Sequence, residues 1–496
     1  MDLDKLAAKV QAAGVVGAGG AGFPTHVKLN NPCEAVLING AECEPLLQVD
    51  QQLLETEAVV LVDTLGLLVK ATGAKCGIFA IKAKYRRAVA AVATALAGHS
   101  ELELFQLGDF YPAGDEQVLV YEVLGQVVPP GGIPLQVGAV VLNVETLLNI
   151  ARACRNKPVT HKYVTVAGAV AHPVTVRVPV GTPVAAVLNM AGGPTISDYR
   201  VLEGGPMMGK PVDDLTRGIT KTTKGLLVLP AGHRLWRLKD LPTGIILKRA
   251  MAVCCQCSAC TDLCPRHLLG HPLEPHRILR NVAHNVSHDP AGVIAAQLCS
   301  ECGACDHYAC PMDISPRLIN AAVKRELAEQ GFKWHPAKTG RPHSLREGRK
   351  IPVHRLISRL GLSMYHGPAP LQFELAHDLA GASSSNAENI HRSETRETTS
   401  IRTSGIGSVR PEQVSPETTN GDTVHRTVSF RTSFFGVRLE LKQHVGVPCY
   451  PVVQPGDKVT LGQPVAAVPD GQLGSPIHAS ITGTVIAVSP QIVIAG

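Results

Sequence analysis

A multidomain α/β protein is predicted by three features of the sequence. Strand and helix patterns alternate over the first 155 residues, two cysteine runs lie beyond residue 250, and turn-punctuated β-rich stretches flank those runs. At 496 residues the chain has the length for several domains with real cores. The net charge of +6 is spread without a Lys/Arg block, so composition offers no case for nucleic-acid binding. No run of 18 apolar residues is free of charge, and no membrane span is expected. The opening Met1-Asp2-Leu3-Asp4-Lys5 is acidic rather than basic, so no signal peptide is expected there.

Residues 1–155 alternate short amphipathic helices with Val/Ile-rich strands such as Ala35-Val36-Leu37-Ile38, which predicts a largely parallel sheet. Residues 156–240 change to short β-rich runs broken by Gly and Pro, for example Tyr163 to Pro173 and Val176 to Pro179. Residues 245–335 hold the cysteines, with helix-like patterns over 275–284 and 315–330. A connecting segment is expected over 336–379. Residues 380–428 are rich in Ser, Thr, Asn and Glu, too polar to bury a core, and read as a disordered linker. Residues 429–496 return to a β-rich pattern, with turns at Pro455-Gly456-Asp457, Asp470-Gly471 and Thr482-Gly483. That spacing suits a compact sandwich or barrel.

The cysteine runs are Cys254-x2-Cys257-x2-Cys260-x3-Cys264-Pro265 and Cys299-x2-Cys302-x2-Cys305-x4-Cys310-Pro311. Three thiolates at i, i+3 and i+6 can wrap one [4Fe–4S] cube, and in two-cluster ferredoxins the remote fourth cysteine closes the other cube. Interleaved ligation is therefore expected. Cys254, Cys257, Cys260 and Cys310 would hold one cluster; Cys299, Cys302, Cys305 and Cys264 would hold the other. Cys-x2-Cys pairs also build zinc sites, but zinc leaves the third cysteine and the proline unexplained. His307 and Tyr308, inside the longer gap, read as loop fillers. The other six of the 14 cysteines (Cys33, Cys43, Cys76, Cys154, Cys255 and Cys449) are scattered and read as thiols, which suits a reducing cytoplasm.

Gly14-Val-Val-Gly17-Ala-Gly19-Gly20-Ala-Gly22-Phe23-Pro24-Thr25 lets backbone approach a phosphate or a flavin ring, with Lys28 close behind as a cation. A tight turn between packed elements would use the same residues, and no strand precedes the loop with Rossmann spacing. With Asn39-Gly-Ala-Glu42-Cys-Glu44-Pro45, this loop resembles the flavin- and NADH-binding subunit of respiratory complex I. It resembles the corresponding component of the Rnf electron-transport complex, RnfC, more closely. The resemblance is greatest to the cobalamin reductases of propanediol-utilisation microcompartments, and it covers the chain except the polar linker. Residues 1–155 would then be a complex I-type FMN/NADH domain and 156–240 a soluble-ligand-binding β-grasp (SLBB) domain. Residues 245–335 would be a two-cluster ferredoxin domain, and 429–496 a barrel-sandwich hybrid. The last lacks the modified-lysine hairpin of biotinyl and lipoyl domains, so docking is its expected role.

The resemblance implies that Gly17, Gly19, Gly20 and Lys28 contact FMN and that Phe23 stacks near the nicotinamide. Asn39 and Glu42 would face the flavin, and Glu44 would hold NADH. Tyr111-Pro-Ala-Gly-Asp115-Glu116 resembles the complex I Tyr-x-x-Gly-Glu-Glu stretch, which puts Tyr111, Asp115 and Glu116 near flavin and nucleotide. Asn143-Val-Glu-Thr146 matches a further element, making Asn143 a flavin contact. Ala41 departs from the acidic residue of complex I, and Asp115 is one methylene shorter than the usual Glu. The implied activity passes electrons from NADH through FMN and two [4Fe–4S] clusters to cobalamin, inside a microcompartment. Cobalamin, an adenosyltransferase and shell proteins are the implied partners. An Rnf-type component of a membrane complex and a donor to another microcompartment enzyme use the same carriers. A ferredoxin-like carrier with a vestigial flavin motif is a third reading, which the intact Lys28, Glu42 and Glu44 oppose.

Overall fold

The computed structural model describes residues 2–286, 289–335, 340–372 and 436–496. In the N-terminal domain β1 (Ala35–Gly40), β2 (Cys76–Lys82), β3 (Leu102–Leu107), the two-residue β4 (Phe110–Tyr111) and β5 (Ala139–Asn143) follow in chain order. All but β4 form one parallel sheet, ordered β3-β2-β1-β5. The continuous apolar runs of β1 and β5 follow from burial on both faces. Helix Ala58–Thr72 packs on one face and stops at Gly73, which takes the left-handed cap position at φ 70°. At their carboxyl ends β1 and β5 place Asn39 beside Asn143 in register. The crevice outside the carboxyl ends of parallel strands is where such sheets bind ligands.

The second domain contains β6 (His161–Gly168), β7 (Val174–Pro179), β8 (Tyr199–Glu203), β9 (Lys210–Val212) and β10 (Gly225–Pro230). Helices Thr243–Val253, Pro275–Ala283 and Pro316–Glu329 then frame the cysteine loops around a core that includes Ile246, Ile278 and Ile319. The segment expected only to connect instead ties domains together. Its β11 (Ile351–Pro352) pairs with β4, and β12 (Leu371–Gln372) extends the second domain's sheet beside β7. Between them, helix Val353–Leu360 buries Val353, Leu356, Ile357 and Leu360 in one core with Tyr111, Leu227 and Trp236. The polar stretch 380–428 lies outside the described residues.

The C-terminal domain carries β13 (Gly436–Glu440), β14 (Tyr450–Pro451), β15 (Lys458–Val459), β16 (Pro464–Ala467), β17 (Ile477–His478), β18 (Gly483–Ala487) and β19 (Gln491–Ala495). They form two sheets, β13-β19-β18-β15 and β14-β16-β17, around Leu439, Val459, Val465, Ile477, Val485 and Ile492. Among the described residues no helix is long and apolar enough to cross a membrane.

The first two domains share a buried ion pair between Glu145, on the helix after β5, and Lys162 of β6, each side chain 1% exposed. Burial pulls the Lys162 ammonium down in pKa, against the opposing pull of Glu145. Its Nζ also donates to Ala18 O at 3.1 Å, and Glu145 Oε1 accepts from Tyr163 N–H at 3.2 Å. Lys162→Met should cost about 3–5 kcal/mol, because it leaves Glu145 buried without its partner. Lys162→Met with Glu145→Gln should recover most of that loss in calorimetric unfolding. Equal losses in the single and double variants would deny the pair its role.

Candidate functional site

A cavity of about 350 Å³ opens at the carboxyl edge of β1 and β5. The glycine loop forms one wall, with Gly17, Gly19, Gly20, Ala21, Gly22 and Phe23 lining it. Gly17 N–H donates to Phe23 O at 2.9 Å, which closes the loop on itself. The Asn143-Val-Glu-Thr146 element holds it from below: Ala18 N–H donates to Thr146 Oγ1 at 2.9 Å. Gly19 is obligatory here, since a Cβ would stand 2.7 Å from Asn143 Nδ2. Asn143 itself caps the helix that begins at Val144, accepting from Glu145 N–H at 3.0 Å.

The structure brings all twelve predicted flavin and nucleotide residues to this one cavity. Lys28 Nζ sits 2.7 Å from Glu116 Oε1 and 3.2 Å from Val141 O. Asn39 Nδ2 donates to Gly114 O at 2.8 Å, orienting its amide. Three of these residues also have partners from distant segments. The Glu44 carboxylate accepts from Met207 and Met208 N–H at 2.8 and 2.7 Å, fastening a loop of the second domain. Burial raises its pKa, against those two amides. Asp115, one methylene short, caps helix Glu116–Leu124 and pairs with Arg266 at 2.9 Å, bridging to the cysteine domain. Tyr111 Oη donates to Cys302 O.

Sequence reasoning missed Thr25, Asp50 and Lys224. Thr25 Oγ1 is buried on the cavity wall with no hydrogen-bond partner among the described residues, as a ligand-facing hydroxyl would be. Asp50 accepts from Asn143 Nδ2 at 2.9 and 3.0 Å, and it meets Lys224 Nζ. Lys224 comes from the second domain and also reaches Glu42 Oε1 at 3.2 Å. No motif in the sequence links residue 224 to residue 42; Lys224 O accepts from Thr165 N–H of β6, whose Oγ1 accepts from Gln48 N–H of the first domain. Glu42 has a left-handed backbone at φ 37° and accepts from Asp50 N–H. Burial, then the charge of Asp50, push Glu42 up to about 7, while Lys224 opposes them. Burial lowers Lys224, but Asp50 and Glu42 more than offset it and hold the ammonium above its ordinary range.

The cysteines form two sets. Cys254, Cys257, Cys260 and Cys310 line one cavity; Cys264, Cys299, Cys302 and Cys305 line another. These are the interleaved sets expected from the spacing. Gln256, Ser258 and Glu301 take positive φ of 54°, 56° and 57°, bending each loop tightly between its thiols. Backbone N–H groups of Glu301 and Ile314 point at Cys299 and Cys310 Sγ, each at 3.4 Å, as donors to cluster thiolates do. Among the described residues no three His, Cys, Asp or Glu side chains converge on a single-ion site. The extra residue of the second run is absorbed by a π-helical turn, Ala304–Ala309. His307 is therefore no loop filler: it is fully buried, and its neighbour Asp306 pairs with Arg317 at 3.0 Å. Ser300 and Cys302 line both the second thiol cavity and the glycine-loop cavity.

Four family models match the chain, the last of them beginning at residue 414, within the stretch read from the sequence as a polar linker. Residues 10–152 match the Nuo51 FMN-binding domain and 163–211 the SLBB domain. Residues 253–315 match the 4Fe-4S dicluster domain and 414–496 the RnfC barrel sandwich hybrid domain. The cobalamin reductase PduS of Salmonella typhimurium is 42% identical over 492 residues, 99% of this chain and 96% of that protein. Cobalamin reductase PduS of Citrobacter freundii is 40% identical over 491 residues, again 99% and 96%. A component of the Na(+)-translocating ferredoxin:NAD(+) oxidoreductase complex of Acetobacterium woodii is 35% identical over 275 residues, 54% of this chain and 59% of that one. The four-domain α/β architecture expected from the sequence is thus the observed one.

The Glu42 network makes a pH prediction. Its folded pKa of about 7 lies above the ordinary 4.5, so between those values the folded state keeps a proton that the unfolded state has lost. Stability must therefore fall as pH rises through that window, and level off above it. Glu42→Gln should flatten this part of the profile in thermal melts between pH 4.5 and 7. An unchanged slope would remove Glu42 from the account.

Proposed function

The chain belongs to the PduS family of cobalamin reductases, and from that membership we propose that it is an NADH-dependent reductase of cobalamin. Electrons would pass through FMN and two [4Fe–4S] clusters to bring cob(III)alamin to lower states for an adenosyltransferase. The reading carries with it a microcompartment interior, where shell proteins would be neighbours. The observation that supports it best is the wall shared by the glycine-loop cavity and the Cys264/Cys299/Cys302/Cys305 cavity. When bound, FMN takes two electrons as a hydride and gives them up singly, which is what one-electron clusters require.

The chain's own residues would do the rest. Gly17, Gly19 and Gly20 admit the flavin to the backbone, Lys28 supplies the cation for its phosphate, and Asn39, Asn143 and Thr25 offer polar contacts. Glu42, whose carboxyl is pushed up to about 7 by burial, stands within reach of Lys224 and Asp50. Phe23, at the cavity wall, offers its ring to the nicotinamide. Cys264, Cys299, Cys302 and Cys305 would hold the cluster nearer the flavin, and Cys254, Cys257, Cys260 and Cys310 the outer one. The partial Rnf-type relative, matched over 54% of this chain, keeps a ferredoxin-coupled role as the alternative for the same carriers.

Two experiments test this. Anaerobically reconstituted protein should carry about eight irons per chain, and Cys264→Ala should lose the cluster of Cys299, Cys302 and Cys305 while keeping the other. Electron paramagnetic resonance would report which centre survives; loss of the outer cluster alone would refute the assignment. In stopped-flow mixing, NADH should bleach the flavin of Cys264→Ala protein, but cob(II)alamin formation should collapse. Lys28→Ala should instead release FMN, with affinity about tenfold weaker for loss of one charge-assisted contact. If cluster-free protein reduces cobalamin at the full rate, the clusters are off the path.

A further inference from the structure

The glycine loop is gripped from outside as well as from below. Its first and last glycines, Gly14 and Gly22, have positive φ of 70° and 74°, and both abut the C-terminal domain. At Gly14 the carbonyl accepts from Lys221 Nζ at 2.8 Å, and the same ammonium donates to Pro476 O at 2.7 Å. At Gly22 the carbonyl accepts from Val445 N–H at 3.1 Å. Lys221 N–H also donates to Gln443 Oε1 at 3.0 Å. Three domains thus meet at one side chain: the loop of the first, Lys221 of the second and the strand-rich C-terminal one.

Lys221 is 2% exposed, and both acceptors of its ammonium are neutral carbonyls. Burying an amine without a carboxylate is costly, and burial pulls Lys221 down to about 7, so an apolar residue would serve better if filling space were the only task. An ammonium has three divergent donors on one atom, which suits it to hold two backbone segments at a fixed separation. The segment it holds leads within three residues to Gly17, where the cavity wall begins. We propose that Lys221 is a positioning residue for the flavin site, fastening the C-terminal domain to the glycine loop so that the flavin cradle is complete only when that domain is docked. The docking role of the C-terminal domain is then directed inward, to its own chain. This rests on the flavin reading above.

The test uses the full chain. Lys221→Met should raise the FMN dissociation constant about tenfold, chiefly through faster release, while iron content and the thermal midpoint of the flavin-free protein stay as in the parent. Ser480→Ala cuts a contact of the C-terminal domain with Val180 O of the second domain that uses neither the Gly14 nor the Gly22 carbonyl, and should leave FMN binding unchanged. If Lys221→Met does not fold, Gln443→Leu carries the test, since it loosens the same junction without removing the charge; it too must release FMN faster. Parental FMN binding in the lysine variant, beside weakened binding in Lys28→Ala, would overturn the inference and leave the flavin reading intact. Joint loss of iron, melting cooperativity and FMN in both Lys221→Met and Gln443→Leu would reduce the junction to structure alone and also overturn it. Parent protein that takes up no FMN would overturn both.

Discussion

The contact on which the site depends is the approach of the Gly19 backbone to the Asn143 amide. It sets the floor of the cavity, because any side chain at residue 19 would meet that amide at 2.7 Å. The contact is kept by groups on either side of it. Thr146 and Lys162 hold Ala18 by its N–H and its carbonyl, and Asp50 holds the Asn143 amide from behind. One four-residue element after β5 therefore supplies the cap of its own helix, the floor of the cavity and the anchor of the buried Lys162. That is why Asn, Glu and Thr occur there together.

Buried charge explains why the first two domains work as one body. The first contributes the carboxylates of Glu42, Asp50 and Glu145; the second contributes the ammonium groups of Lys162 and Lys224. Separated, each domain would expose a cluster of like charges or bury it unpaired, which costs several kcal/mol per ion. At Glu42 the charge of Asp50 adds to burial in raising the pKa, and Lys224 of the second domain opposes both. The segment 340–372 reinforces the same assembly by pairing one short strand with each domain.

Much of this was legible in the sequence because some chemistry forces local spacing. Thiolates spaced to wrap a cube recur every three residues in sequence, and the spacing pointed to the remote cysteine serving the other loop; the eight cysteines line two cavities in that grouping, with Cys255 also on the first. Parallel strands buried on both faces announced themselves as apolar runs at 35–40 and 139–143. What stayed hidden were partners supplied from far along the chain. Glu44 sits beside a motif yet bonds amides 163 and 164 residues away, and Asp115 is claimed by Arg266. Lys221 and Lys224 belong to a polar run, Thr220 to Lys224, with no motif of its own, and their partners lie in other domains. The one-residue excess in the second cysteine run looked like slack, but the backbone absorbs it by widening a helical turn, which a spacing rule cannot foresee.

Burial also gives the proposed electron path a direction. In the set next to the glycine-loop cavity, Cys264, Cys299 and Cys305 are buried and Cys302 partly so, while in the outer set Cys257 is exposed, Cys254 and Cys260 are partly so and Cys310 is buried. Adding an electron to a cluster adds negative charge, and that charge is less well solvated in the buried site. Solvent exposure is one of the terms that set a cluster's potential, and on that term alone a cluster held by the outer set would favour its reduced state more than one held by the inner set. An electron leaving the flavin cavity past Cys302 would accordingly move from a less to a more hydrated environment. The gradient follows from where the chain places its thiols, with the inner loop enclosed between domains and the outer loop left at the surface.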